Sequence, residues 1–413
     1  MRQRDRGGIL TRSLVGKGFV LSYKRPKVLL YVQDSWGLGH IRRVSKLARA
    51  LERDAHCLIL CGHREAGWII SQGCEYIRIP SFNVPLSKGV GGVFWGPRSH
   101  FELSIEEAVK LRRQLITSAL DAFAPDVLII ENRPLGMSDE LDGILEHSSA
   151  AKFFLTRGIM TNPSRVGRSY LSEVQRHALK TTFDGILVAV DRRVWDVAAE
   201  YDLDPQIANK LEYVGYLSEP IAAAQIKQLR AERGIRNGER WVVCSAGGGA
   251  LGEHLIDEFT RIAGGLQDVV IDTIQGPHST STWSASLTST IEKPWGRFHS
   301  ENRSLPLLHA AADLVICPGG SSLLEVMEGG ATIITIPVQP DKDDEQALSS
   351  SRLAGFYPIT VLESYSDLEQ TTKKVLGNLP PKLSIRETGA LNVDGLQRAR
   401  ELILSAASKG LRL

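Results

Sequence analysis

The stretch whose reading decides the fold runs from Ala312 to Gln346, ADLVICPGGSSLLEVMEGGATIITIPVQPDKDDEQ. It reads as a strand, a tight glycine turn, a short helix, a second strand and an acidic loop ending at Glu345-Gln346. Leu314 to Cys317 is a short apolar run without alternation, the pattern of a strand buried on both faces of a parallel sheet. Pro318-Gly319-Gly320 stops that strand, and Ser321 or Ser322 is suited to cap the helix that follows. Gly319 and Gly320 admit close approach of a ligand to the backbone. The helix start offers unpaired N–H groups and the positive end of a dipole to a phosphate. Glu325 lies about one turn into the helix, where its carboxylate can accept from a pair of ribose hydroxyls while a diphosphate sits on the amides. Gly329-Gly330 ends the helix, and Thr332 to Pro337 forms the next strand. The plainer alternative is a bare β-to-α turn, since a glycine-rich turn alone is a weak signal.

Working outward, a chain of 413 residues is too long for one ordinary core and predicts two domains of about 200 residues each. A hydrophobic fraction of 43% with 23% charged residues is that of a globular protein in water. The net charge of +2 gives no reason to expect nucleic acid as a partner. No apolar run approaches the roughly 20 residues of a membrane span, and no signal-peptide core is visible. Arg2, Arg4, Arg6, Arg12, Lys17, Lys24 and Arg25 make residues 1–26 a basic tail. Such a tail is either frayed and solvated or a peripheral contact to anionic headgroups. Cys57, Cys61, Cys74, Cys244 and Cys317 contain no C-x-x-C pair, and most sit in or beside apolar runs. They read as core residues of a reduced, cytoplasmic protein. His56 and His63 flank two of them, but the intervening strand points alternate side chains apart, so no metal is expected.

The N-terminal half opens with a strand from Lys27 to Val32, a glycine loop from Gln33 to His40 and a helix from Ile41 to Glu52. Strands from His56 to Cys61 and from Tyr76 to Pro80 complete a βαβ pattern. The glycine-rich, aromatic segment from Phe82 to Phe101 has no clear period and suits a loop over a cleft. Ser104 to Phe123 is a long amphipathic helix with the capping-box order Ser104-x-x-Glu107. Later strands deliver Glu131, Arg157 and Asp191 at their carboxyl ends, the edge of an open α/β sheet where ligands bind. Each of these, like His40, reads equally as a cap or a buried pair. Tyr213 to Pro220 is a last strand running into a linker. A second α/β pattern then repeats the strand-to-glycine device at Trp241 to Gly252, with Gly247, Gly248 and Gly249 in its turn. A serine- and threonine-rich surface loop spans Ser279 to Ser289, and a terminal helix spans Gly395 to Ser408. The expected organisation is a tail over 1–26, one Rossmann-like domain over 27–217, a second over 218–394, and a final helix over 395–413.

Transfer of a group from a nucleotide diphosphate needs positive potential on the leaving group and a base for the acceptor. Helix N-termini and loop amides can supply the first, from glycine loops on two sides of a cleft. Asp341, Asp343 and Asp344 read as a solvated acidic loop rather than a metal site. His40, in a loop facing the cleft, is placed to accept a hydroxyl proton, the alternative being a loop-stabilising histidine. Arg42 and Arg43 either steer an anionic acceptor or lie on the solvated face of the first helix.

The pattern resembles the donor half of GT-B glycosyltransferases, especially the MurG-like family 28 type that uses UDP-N-acetylglucosamine. The resemblance rests on Gly319, Gly320, Ser321, Ser322, Glu325, Glu345 and Gln346. It extends to Gly37-Leu38-Gly39-His40-Ile41-Arg42-Arg43, Pro125-Asp126-Val127, Pro134-Leu135-Gly136 and Ser300-Glu301-Asn302, covering most of residues 27 to 400. It is similar to an uncharacterised bacterial branch of that family. The resemblance implies an α/β fold of two doubly wound Rossmann-like domains facing a central cleft, with the final helix, 395–413, packing back on the first. It implies inverting, metal-independent transfer from a UDP-sugar co-substrate, without a further cofactor, to a small-molecule or lipid-linked acceptor. It also implies diphosphate at the Gly/Ser turn, ribose at Glu325, sugar hydroxyls at Glu345 and Gln346, the base near Glu301 and Asn302, and the acceptor beside Gly37 and Gly39, with Glu131 and Arg157 on the same side. Asp34, Ser35 and Trp36 stand where the family's acceptor loop carries more glycine, which points to a different acceptor. The rival readings are a UDP-N-acetylglucosamine 2-epimerase, which shares the architecture, and a nucleotide-sugar-binding regulator that turns nothing over.

Overall fold

The computed structural model describes residues 9–12, 21–32, 38–82, 87–88, 94–95, 101–247, 252–276, 296–300, 302–337 and 345–410. Seven parallel strands form the first large sheet: β1 (Lys27–Tyr31), β2 (His56–Cys61), β3 (Glu75–Arg78), β4 (Val127–Glu131), β5 (Ala151–Thr156), β6 (Gly185–Val188) and β7 (Leu211–Tyr213). Their order is β7-β6-β5-β4-β1-β2-β3. Six more form the second: β8 (Arg240–Ser245), β9 (Val269–Ile274), β10 (Gly296–His299), β11 (Leu314–Cys317), β12 (Thr332–Thr335) and β13 (Ile359–Val361). There the order is β10-β9-β8-β11-β12-β13. In both sheets the order reverses beside the first strand, at β1/β4 and β8/β11, which is where open α/β sheets leave a crevice at their carboxyl edge.

The apolar runs are continuous because both faces of each sheet are covered. Leu29 and Tyr31 of β1 enter one core layer, while Val28, Leu30 and Val32 enter the other. Six helices matter for the site: α1 (Gly39–Leu51), α2 (Ile105–Phe123), α3 (Leu305–Ala311), α4 (Ser322–Gly329), α5 (Glu345–Leu353) and α6 (Gly395–Gly410). Helix α2 starts with the expected capping box, Ser104 Oγ accepting from the Glu107 amide and Glu107 accepting from the Ser104 amide. Its Arg112 is fully buried and donates to Glu140 at 2.9 Å, to Tyr31 Oη at 2.6 Å and to the Pro80 carbonyl. This satisfied buried pair is structural and lies apart from the strand-end residues.

The chain crosses to the second sheet after β7 and returns beside the same point. Leu217 bridges Asp394, the Tyr216 amide donates to the Asn392 carbonyl, and the Gly395 amide donates to the Tyr216 carbonyl. Helix α6 then packs on the first sheet, with Ala399, Ile403 and Ala407 at helical spacing in one core layer with Val28, Leu30, Ile129 and Leu155.

Several expectations are corrected. Asp191 does not serve the cleft: its carboxylate is held by Arg193 at 2.6 Å and by the Asn392 amide at 2.8 Å, at the return crossing. Residues 9–12 and 21–24, read as frayed tail, form an antiparallel pair, and residues 87–88 and 94–95 form another inside the segment read as a loop. The last strand of the first sheet is Leu211–Tyr213, not the stretch beginning at Tyr213, and β6 ends at Val188. Glu345 and Gln346 open α5 rather than ending a loop.

Candidate functional site

On the first sheet, β4 ends at Glu131 and the helix following β1 begins at Gly39, so the next strand's end meets the first turn of α1. Glu131 is fully buried. It accepts from His40 Nδ1 at 2.7 and 2.9 Å through its two oxygens and from Arg43 at 2.5 Å. Burial pushes the Glu131 carboxyl up, but His40, Arg43 and Arg157 together outweigh it and hold the carboxyl below its ordinary range. A carboxylate on Nδ1 fixes the tautomer: Nδ1 carries the proton and the lone pair sits on Nε2. His40 is thus an imidazole oriented through Nδ1 by a buried anion, with Nε2 turned away from Glu131, the orientation general-base chemistry needs. Arg43 and Arg42 do not lie on a solvated face; their side chains are 16% and 18% exposed and each is paired with a carboxylate.

On the second sheet the two glycine turns leave adjacent parallel strands, β8 and β11. They stand side by side on one domain, so the expectation of loops on two sides of a cleft is corrected. A Cβ built on Gly247, whose φ is +74°, comes within 3.9 Å of Ser322 Oγ. Ser321 occupies the N-cap position of α4 but makes no side-chain cap bond, leaving first-turn amides of α4 without the expected side-chain cap. At Gly319 the close approach is to the protein itself, because a Cβ there lies 2.9 Å from the Gln346 carbonyl. Gly320 is more open, its Cβ position 3.8 Å from Gln346 Nε2, which sets that amide beside the turn.

Glu325 is 5% exposed and has three cationic or potentially cationic neighbours: Arg42 at 3.3 Å, Lys46 at 4.0 Å and His309 at 3.5 Å. Burial pushes the carboxyl up, and His309, Arg42 and Lys46 reverse that, bringing it down to about 2. A carboxyl lowered from 4.5 in the unfolded chain stabilises the fold at pH values above 4.5, and that contribution disappears as pH falls toward about 2. The stability difference between wild type and Glu325→Gln, measured by denaturant titration, is therefore expected to narrow on acidification from about pH 6 to about pH 3. A constant difference would show that the charge of Glu325 adds nothing to folding.

The two half-sites meet. A Cβ on Gly39 comes within 3.2 Å of Ser321 Oγ, so the first turns of α1 and α4 face each other across the cleft. Arg42 and Lys46 reach over to Glu325, and Arg157 pairs with Glu345 at 2.6 Å. The structure thereby brings together His40, Glu131, Arg157, Gly39, Gly247, Gly319, Gly320, Ser321, Ser322, Glu325, Glu345 and Gln346. Asn302 accepts from the Ser304 amide at 2.8 Å in a local turn ahead of α3. Gly37, Gly248, Gly249, Glu301, Asp341, Asp343 and Asp344 lie outside the described residues. Sequence reasoning missed Lys46, Ser245 and His309. Lys46 lies one turn beyond Arg42 on the same helix face, a signal that was present. Among the described residues no group of three His, Cys, Asp or Glu side chains gathers as metal ligands would, and no helix is long and apolar enough to cross a membrane.

No protein-family model matches the sequence, and no curated protein matches it. Solved structures do match over nearly the whole chain. The glycotransferase of kitacinnamycin is 13% identical, covering 93% of this chain and 100% of its own, with a TM-score of 0.60. MurG of Acinetobacter baumannii is 12% identical, covering 94% and 100%, with a TM-score of 0.53. A UDP-N-acetylglucosamine 2-epimerase is 9% identical, covering 92% and 94%, with a TM-score of 0.58. With two parallel Rossmann-like sheets of seven and six strands, these likenesses show that the chain has the GT-B fold.

Proposed function

We propose that the protein is an inverting glycosyltransferase of the MurG-like family 28 type. In this reading it moves a hexose or N-acetylhexosamine from a UDP-sugar to a hydroxyl of a small-molecule or lipid-linked acceptor. The observation that carries the reading is the His40–Glu131 pair at the first turn of α1, directly opposite the Gly/Ser turn of α4. Nε2 of His40 takes the acceptor proton, the acceptor oxygen bonds to the anomeric carbon, and the bond from that carbon to the UDP oxygen breaks on the opposite face. The proton remains on an imidazolium stabilised by Glu131. UDP leaves with its diphosphate on the amides of Gly247, Gly319, Ser321 and Ser322, the Gly320 amide already donating to the Pro318 carbonyl, and with Arg42 and Lys46 within reach, a set of positive groups that needs no metal. Glu345 and Gln346 take sugar hydroxyls and Glu325 takes the ribose.

Calorimetry against UDP, GDP and dTDP with and without EDTA tests the donor half; UDP alone is expected to bind, insensitively to EDTA. Loss of Glu325 in Glu325→Ala is expected to weaken UDP binding by about 1–3 kcal/mol, the worth of hydrogen bonds to a charged acceptor. An unchanged affinity removes the ribose assignment. The likeness to the epimerase structure keeps a second reading, inversion at carbon 2 of the donor itself. Proton NMR of UDP-N-acetylglucosamine incubated without acceptor separates the two: a C2-epimerised sugar supports the epimerase, and an unchanged donor consumed only with acceptor supports the transferase.

A further inference from the structure

Two buried polar atoms beside the donor turn have no hydrogen-bond partner, His309 Nδ1 and Glu325 Oε2. They face each other at 3.5 Å, just beyond a good bond. His309 is fully buried in α3, which packs on α4. Its other nitrogen, Nε2, lies 2.8 Å from Ser245 Oγ, also fully buried, at the end of β8 and two residues before Gly247. One imidazole therefore links the strand feeding the first glycine turn to the carboxylate of the second.

The proton positions follow from the partners. If Nε2 carried the hydrogen, the lone pair of Nδ1 would face the Glu325 carboxylate, two negative lobes in a buried site. With the hydrogen on Nδ1, the N–H faces Oε2 and the Ser245 hydroxyl donates to Nε2. The second tautomer satisfies every atom after a small rotation of Glu325. The first leaves a repulsion that nothing nearby relieves. Oε1 of Glu325 faces Arg42 and Lys46 at the cleft, so the carboxylate has one oxygen toward the core and one toward the space a nucleotide would enter.

We propose that His309 is a positioning residue for nucleotide binding: anchored by Ser245, its Nδ1–H holds Oε2 of Glu325, so that Oε1 is presented to the ribose hydroxyls of the donor. The inference rests on the reading of Glu325 as the ribose acceptor. A carboxylate tethered through one oxygen keeps the lone pairs of the other in a fixed plane, which favours a nucleotide that offers a 2′-hydroxyl donor over one that does not. Diphosphate binding at the turns is left as it is.

The test compares UDP with 2′-deoxy-UDP by calorimetry in the wild type, His309→Ala, His309→Asn and His309→Gln. Wild type is expected to prefer UDP by about tenfold, the effect of losing one hydrogen bond to a charged group. His309→Ala loses that preference while binding 2′-deoxy-UDP as wild type does. An asparagine amide reaches the position of Nδ1 and a glutamine amide that of Nε2, so His309→Asn retains the preference and His309→Gln does not. Where alanine does not fold, the asparagine–glutamine pair decides the matter. A preference kept in both His309→Ala and His309→Gln overturns the role of His309 while leaving the ribose assignment standing. Equal binding of the two nucleotides by the wild type overturns the ribose assignment and the inference with it.

Discussion

His40→Ala is expected to lower turnover of the UDP-sugar about 10²–10⁴-fold, the range general-base catalysis contributes, with UDP affinity unchanged. The size follows from what the substitution removes. His40 offers the one imidazole oriented by Glu131, and the acceptor hydroxyl, ordinarily a poor nucleophile, loses the group that takes its proton. The fold has little stake in the side chain, because Glu131 keeps Arg43 at 2.5 Å when His40 is gone. Glu131→Gln should fall by a comparable factor, up to about 10⁴-fold, since the amide can donate to Nδ1, put the ring proton on Nε2 and no longer stabilises the imidazolium. Steady-state kinetics alongside UDP calorimetry checks both. A fully active His40→Ala enzyme would reduce His40 to a loop residue, and a variant with lost UDP affinity would place it in donor binding instead.

The second large effect is on stability. Gly329 is the last residue of α4, and a Cβ there would overlap the backbone of Ala310 in α3. Backbone cannot swing aside as a side chain does, so Gly329→Ala must separate the two helices. Overpacking of this kind costs about 3 kcal/mol or more. The melting temperature is expected to fall by roughly 6–12 °C, taking 2–4 °C per kcal/mol for a domain of about 200 residues. UDP binding should weaken as well, because the same separation carries His309 away from Glu325. Gly377→Ala is the control: a Cβ at Gly377 meets no atom within 4 Å, and its melting temperature should hold. Equal melting temperatures for the two variants would mean that α3 and α4 part at little cost.

The central strands were legible in the sequence because both faces of each sheet are covered there, which turns them into unbroken apolar runs, whereas the edge strand Glu75–Arg78 is exposed throughout. Val127 to Ile130 and Leu314 to Cys317 needed no partner to be recognised. The glycine turns and Glu325 were legible for a related reason: strand, turn and helix are local, and spacing along the chain fixes their spacing in the fold. What spacing does not carry is strand order. The adjacency of β8 and β11, whose first paired residues Val242 and Leu314 are 72 positions apart, puts two turns side by side that read as opposed. The same holds for His40 and Glu131, 91 positions apart, and for Ser245 and His309, 64 apart. Helix α3 was missed because it is about two turns long, led by Leu305-Pro306, too brief for a period to emerge. Arg42 was ambiguous for a different reason: a helix face that meets another domain carries the same charges as one that meets water.

Helix α6 has a consequence for how the chain is made. Its Ala399, Ile403 and Ala407 complete a core layer whose other members begin at Val28. Of the two sheets the first is therefore the earlier to leave the ribosome and the later to be finished. The second sheet, contained between the two crossings, has all its strands in hand by Val361. During synthesis the second sheet can form while the older one still waits, one apolar layer uncovered, for α6 to be released.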